Sequence, residues 1–218
     1  MDQATPKTAA ILPVKEFGEA KVRLADSVDA GTREKLAEAM LEDVISALDE
    51  SRMLSDRIVV TADERAESLA RAHSWRVVDD PGGIGHSGAA LLGIEAALGN
   101  RAERVVLLPG DCPLLDPREL DHLLATIPDE GVAIVRDRHL TGTNALVISP
   151  PGAIEPAFGE GSAERHRVLA REAGILSSFE DLPSLALDLD EPGDLVALTT
   201  SLESGSGRAR ATAKVLGV

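Results

Sequence analysis

Apolar positions recur along the chain in two alternating patterns. Short, almost unbroken aliphatic runs occupy Ala9 to Val14 (AAILPV), Arg57 to Thr61 (RIVVT), Trp75 to Asp79 (WRVVD) and Arg104 to Pro109 (RVVLLP). Short apolar runs of this length predict buried strands. Further strands are expected at Val132 to Val135, Ala145 to Ile148 and Leu185 to Leu187. Between the strands the spacing changes to that of helices. From about Thr32 to Leu48, the residues Leu36, Met40, Leu41, Val44, Ile45 and Leu48 share one face, with Thr32 as the candidate N-cap. Helices are also predicted at Asp63 to Ala72, about Ala89 to Leu98, Pro117 to Thr126, Ala163 to Glu172 and Pro192 to Ser201.

Strands that alternate with helices and stay apolar on consecutive positions predict an α/β fold: a mostly parallel central sheet with helices on both faces, three layers in all. No Pro/Ser-rich linker and no fixed-period repeat divides the chain, so a single domain over residues 1–218 is expected, with its core at about 9–202. The tail from Ser204 to Val218 (SGSGRARATAKVLGV) is of low complexity and is expected to be flexible or to form an oligomer contact. In sheets of this kind ligands gather at the carboxyl ends of the strands. The loops that follow the strands are therefore where chemistry is sought.

Composition narrows the classes of partner. The 218 residues carry 22 basic and 37 acidic side chains, a formal charge of −15, which argues against nucleic-acid or anionic-membrane binding. With three Phe, one Trp and no Tyr, the core must be aliphatic. The single cysteine, Cys112, excludes an intrachain disulfide framework, and no Cys/His spacing suggests zinc. No apolar run approaches the roughly 20 residues of a membrane span, and the N-terminus lacks a signal-peptide pattern. A cytoplasmic protein acting on small molecules is the expectation.

Against that acidic background the first loop, PVKEFGEAKVRL, is a basic island: Lys15, Lys21 and Arg23 fall within nine residues of a chain that holds five lysines. It suits a triphosphate, although a solvated loop with Glu16 and Glu19 as neighbours has the same composition; the P-loop pattern GxxxxGK[ST] is absent. The loop DDPGGIGHSGAA places Gly82, Gly83 and Gly85 ahead of a helix, where backbone N–H groups can meet a nucleotide or simply form a tight turn. His86 there reads as a surface residue or polar contact, not as a base. In RVVLLPGDCPLLD, Asp111 follows a buried strand, and a hard divalent cation such as Mg²⁺ is its natural partner; Cys112 reads as a small buried residue. LALDLDEPGDL repeats the arrangement with Asp188 and Asp190, either of which could share that metal, while Asp190 could instead cap the next helix. Finally, Thr141, Gly142 and Thr143 open a strand, and Gly159, Gly161 and Ser162 precede a helix carrying Arg165, His166 and Arg167. Hydroxyls and glycines at a helix N-terminus suit a second small anion or an N-cap.

In order along the chain, PVKxxxxAKxRL, LPGDCPLL, TGTNAL, FGxGSxxxH and DLDEPGDL resemble the guanylyltransferases of deazaflavin coenzyme (coenzyme F-420) biosynthesis. These are the 2-phospho-L-lactate guanylyltransferases and the related phosphoenolpyruvate guanylyltransferases. The resemblance spans about residues 9–202. It implies a Rossmann-like nucleotidyltransferase fold, GTP with Mg²⁺, and a phosphorylated three-carbon acid held by Thr143, Gly159 and Ser162. One loop departs from the pattern: IGHSGAAL stands where many relatives read closer to GLNAAL, so no asparagine there can read the base. The excess of arginine over lysine and the alanine-rich composition suggest a GC-rich genome, and actinobacterial relatives favour phosphoenolpyruvate over 2-phospho-L-lactate. Two other readings are a molybdopterin-type nucleotidyltransferase, which usually opens with an LAGGxSxRxG-type loop absent here, and a non-catalytic nucleotide-binding module, which would tolerate loss of an acidic strand end.

Overall fold

The computed structural model describes residues 6–25, 27–205 and 208–218. The first five residues, on which the signal-peptide reading rests in part, lie outside the described residues, as do Ser206 and Gly207 of the tail. One seven-stranded sheet organises the chain. Its strands are β1 (Thr8–Pro13), β2 (Leu54–Thr61), β3 (Arg76–Asp79), β4 (Arg104–Leu107), β5 (Gly131–Arg136), β6 (Thr143–Ser149) and β7 (Ser177–Glu180), in the order β3-β2-β1-β4-β6-β5-β7. All neighbouring pairs are parallel except those of β6, which runs antiparallel to both β4 and β5. The helices are α1 (Ala30–Glu50), α2 (Glu64–Ala72), α3 (Gly85–Gly99), α4 (Pro117–Thr126), α5 (Ser162–Glu172), α6 (Pro192–Glu203) and α7 (Arg210–Leu216). None is long and apolar enough to cross a membrane.

The unbroken apolar strands follow from burial on both faces. In β1, Ala10 and Leu12 join the core layer of α1, α2 and α4, while Ala9 and Ile11 join that of α3 and α5. The same alternation holds in β4, β5 and β6, where Val106, Ala133, Val135, Ala145 and Val147 face one layer and Val105, Leu107, Val132, Ile134, Leu146 and Ile148 the other. On the second face α3 lies very close to β1. A Cβ added at Gly93 would stand 2.2 Å from Ile11 Cγ2, so only glycine permits that approach.

Four expectations are corrected. The N-cap of α1 is Asp29, whose carboxylate accepts from Thr32 N at 3.1 Å; Thr32 lies inside the helix. The glycine-rich loop turns helical at Gly85, four residues before the expected start. No strand forms at Leu185 to Leu187: Pro183–Leu185 is a 3₁₀ turn, and the Leu185 carbonyl accepts from the Asn144 side chain at 2.7 Å instead of a strand neighbour. The edge strand is β7, at Ser177–Glu180, whose polar and exposed residues give no apolar signal. The tail is not free either. Its helix α7 packs on α1, and Asp43 accepts from Ala211 N and Thr212 N at 3.0 and 2.8 Å.

Candidate active site

The chain leaves β1 through two 3₁₀ turns, Phe17–Glu19 and Val22–Leu24. Phe17 is buried and its N–H donates to Asp63 Oδ2 at 2.8 Å, which fixes the first turn. Lys21 stands between the turns in a left-handed conformation, φ 58°. A non-glycine residue held there carries a conformational cost and persists only where its surroundings impose it. The reward is visible in the side chain, which points inward and is 7% exposed. Its ammonium donates to Asp111 Oδ2 and, at 3.1 Å, to Asp190 Oδ1. Burial opposes its charge, but Asp111 and Asp190 outweigh burial and raise its pKa well above that of an ordinary lysine. Lys15 and Arg23 remain exposed on the same rim, Arg23 within 3.9 Å of Glu191.

Asp111 sits in the turn after β4, and its second oxygen, Oδ1, is buried without a hydrogen-bond partner. Asp190 is placed by the turn before α6, where Asp194 Oδ2 accepts from Asp190 N at 2.9 Å and Glu191 N at 2.6 Å. Asp190 therefore does not cap α6; its carboxylate faces Lys21. Asp188 instead accepts from Asn144 Nδ2 at 3.3 Å. Burial and the nearby Asp111 raise its pKa, with the Asn144 bond opposing them. Two carboxylates thus converge on one cation position, that of the Lys21 ammonium, and Asp111 keeps one oxygen unpartnered. That donor set fits Mg²⁺, which typically takes one or two carboxylates and completes its shell with water and substrate phosphates. Among the described residues no group of three or more His, Cys, Asp or Glu side chains could hold a metal alone. Cys112 is fully buried, its thiol pushed well up by burial and by Asp111, so it is no nucleophile.

The opposite wall is made by β6 and α5. Thr143 opens β6 and Ser162 opens α5, and Ser162 Oγ lies 3.0 Å from Thr143 Oγ1. The anion site expected from the backbone of this helix N-terminus is largely closed: Ser162 N donates to Gly159 O at 3.0 Å and Ala163 N to Thr141 O at 3.1 Å. Gly161, not Ser162, is the N-cap. Thr143 and Ser162 themselves line the cavity. Gly159 lines it too, at φ 116°, a conformation that excludes a side chain.

The cavity between these walls has a volume of about 900 Å³. Lys15, Lys21, Arg23, Asp111, Asp188 and Asp190 line one side, and Thr143, Gly159 and Ser162 the other. Of the three glycines expected to meet a nucleotide, only Gly85 reaches it; Gly82 and Gly83 do not line it and serve the turn, at φ 79° and 72°. His86 does line it, half-buried, with its ring edge-on to Phe158 at 4.8 Å. Burial, ahead of the opposing influence of Asp111, lowers its pKa. Three contributors escaped the sequence reading. Asn144 ties Asp188 to β6, and its place inside TGTNAL was the available signal. Phe158 N donates to Ser87 Oγ at 2.9 Å, joining the two loops. Asp137 holds Thr141 N at 2.9 Å and leaves no room for a Cβ at Gly142, which would stand 2.6 Å from its carboxylate.

The arrangement matches known proteins in sequence and in shape. A family model described as "Guanylyl transferase CofC like" matches residues 8–211. A phosphoenolpyruvate guanylyltransferase from Conexibacter woesei is 43% identical, over 96% of this chain and 95% of that protein. One from Sphaerobacter thermophilus is 36% identical, over 88% and 92%. Among solved structures, a Desulfovibrio desulfuricans protein assigned as a nucleotide-diphospho-sugar transferase superposes with a TM-score of 0.76 at 18% identity, covering 97% of this chain and 94% of that one. A cytidylyltransferase from Leptospira borgpetersenii gives 0.63 at 13% identity, with 97% and 93% covered. The fold is that of the nucleotidyltransferases.

Proposed function

The chain belongs to the CofC-like guanylyl transferases, and from that premise we propose that it transfers the guanylyl group of GTP to a phosphorylated three-carbon acid, phosphoenolpyruvate before 2-phospho-L-lactate, in coenzyme F-420 biosynthesis. The observation that carries this reading is one cavity with a lysine and acidic pair on one wall and a hydroxyl pair on the other. The names of the relatives support phosphoenolpyruvate as the acceptor.

The chemistry requires alignment and charge management in place of a base. A phosphate oxygen of the acid is already anionic; it bonds to the α-phosphorus of GTP while the bond to the bridging oxygen breaks, and the electron pair leaves with pyrophosphate. Lys15, Lys21 and Arg23 receive the phosphates through charge-assisted hydrogen bonds. Thr143, Gly159 and Ser162 hold the acid at the distance attack requires. Asp111 and Asp190 would hold Mg²⁺. That ion, when bound, neutralises charge on the phosphates.

The test is product analysis. Purified protein with GTP, Mg²⁺ and equal concentrations of phosphoenolpyruvate, 2-phospho-L-lactate and 3-phospho-D-glycerate should release pyrophosphate and form the guanosine diphospho-adduct of phosphoenolpyruvate as the main species by mass spectrometry. Preference for another nucleoside triphosphate, or no adduct with any of the three acids, would sink the reading.

A further inference from the structure

His166 lies in α5 behind the hydroxyl pair; it is 0% exposed and does not line the cavity. The backbone N–H of Ala157 donates to its Nε2 at 2.8 Å. An amide N–H can only donate, so Nε2 carries a lone pair and the proton of a neutral ring sits on Nδ1. Nδ1 is 3.1 Å from Thr143 Oγ1 and therefore donates to it. Burial, with Arg165 adding to it, lowers the pKa of the ring to about 4, so the neutral form holds throughout the physiological range.

Counting protons then settles what the cavity sees. The imidazole N–H and the two hydroxyls supply three protons, and two internal hydrogen bonds, Nδ1 to Thr143 and Thr143 to Ser162, use two of them. One hydroxyl proton is left over. It sits on Thr143 if Ser162 donates and on Ser162 if Thr143 donates, and both residues line the cavity. With the other tautomer Nδ1 would accept from Thr143 and Thr143 from Ser162, so the pair would present only lone pairs to an anion. We infer that His166 is a positioning residue that makes the Thr143–Ser162 pair a net hydrogen-bond donor to the phosphorylated acid, an inference that rests on this pair being the acid site.

Two substitutions separate this role from simple anchoring of the Ala157 loop. In His166→Asn the amide nitrogen takes the place of Nδ1 and still donates to Thr143, but Ala157 loses its acceptor. In His166→Gln the amide reaches the place of Nε2 and holds Ala157, but nothing donates to Thr143. With GTP saturating, His166→Gln should raise the KM for phosphoenolpyruvate on the order of tenfold, the scale of one lost bond to a charged ligand. The KM for GTP should stay unchanged, and His166→Asn should remain near wild type. The reverse pattern, Asn impaired and Gln normal, overturns the inference. So does a normal KM in His166→Gln when Thr143→Ala and Ser162→Ala are impaired. If those two alanine variants themselves keep a normal KM for the acid, the acid-site reading fails first. A measurement on the unaltered protein needs no variant to fold: long-range proton–nitrogen NMR of the histidine rings should show His166 protonated at Nδ1, and protonation at Nε2 refutes the inference.

Discussion

Replacing Lys21 with methionine keeps the length of the stem and removes the one charge on which Asp111 and Asp190 converge. Breaking a buried ion pair from one side costs about 3–5 kcal/mol. Here the side chains of Asp111 and Asp190 are 26% and 52% exposed, and water will screen the orphaned carboxylates, so about 1–3 kcal/mol is the appropriate scale. In a domain of this size that corresponds to a fall in Tm of roughly 2–12 °C. The loss should be pH-dependent in a definite direction. Asp188 already has a raised pKa because of burial and Asp111; such a carboxyl opposes folding when ionised, and the opposition fades as the pH drops through its folded pKa. Removing Lys21 enlarges that effect, so Lys21→Met should lose least against wild type at acid pH and most at neutral pH. Turnover should fall further than stability. In the proposed reaction the lysine neutralises phosphate charge as pyrophosphate departs, and a single electrostatic group of this type is worth about 100-fold or more. Melting curves at pH 5 and 7.5 with and without Mg²⁺, alongside pyrophosphate release, test both parts. A variant that melts with wild type and keeps normal kcat/KM for GTP would show that Lys21 is a surface ion pair with no part in the reaction.

Three further outcomes are expected. Asp111→Asn preserves shape but removes the charge beside the orphaned Oδ1, and turnover with Mg²⁺ should drop at least about 100-fold; near-normal activity would remove Asp111 from the metal site. Gly93→Ala should destabilise by about 1–3 kcal/mol through overpacking on Ile11, read as a lower urea midpoint; no change would mean that α3 can retreat from β1. His166 has a folded pKa of about 4 against an ordinary 6.5, so its contribution is present above pH 6.5 and is lost as the pH falls toward 4, at most about 3 kcal/mol. Wild type should therefore lose more stability between pH 7 and 4.5 than His166→Asn does, and parallel losses would contradict the shift.

How far the site was legible follows from which forces are local. Strands β1, β2 and β4 could be read because both faces of each are buried, which leaves an unbroken apolar run. Strand β7 could not, because SSFE is polar and largely exposed where it pairs with β5 at the sheet edge. Lys15, Lys21, Arg23 and Asp111 stood out as charges at strand ends in an acidic chain, and the cavity gathers them. Where the carboxylates of Asp188 and Asp190 are held was not local. It depends on Asn144, 44 positions away from Asp188, and on the Asp194 carboxylate that fixes the backbone around Asp190. The acid side shows the same division. The hydroxyls of Thr143 and Ser162 were visible as types, and their helix N-terminus suggested backbone amides as the anion donors. Those amides are engaged by Gly159 and Thr141, which shifts the work to the hydroxyls. Whether hydroxyls donate or accept depends on where a buried imidazole keeps its proton. That is fixed by the N–H of Ala157, nine positions before His166, in a loop whose own place is set by Ser87 on α3. The property by which this wall would receive the proposed acid therefore belongs to no single motif; it arises where α3, β6 and α5 meet.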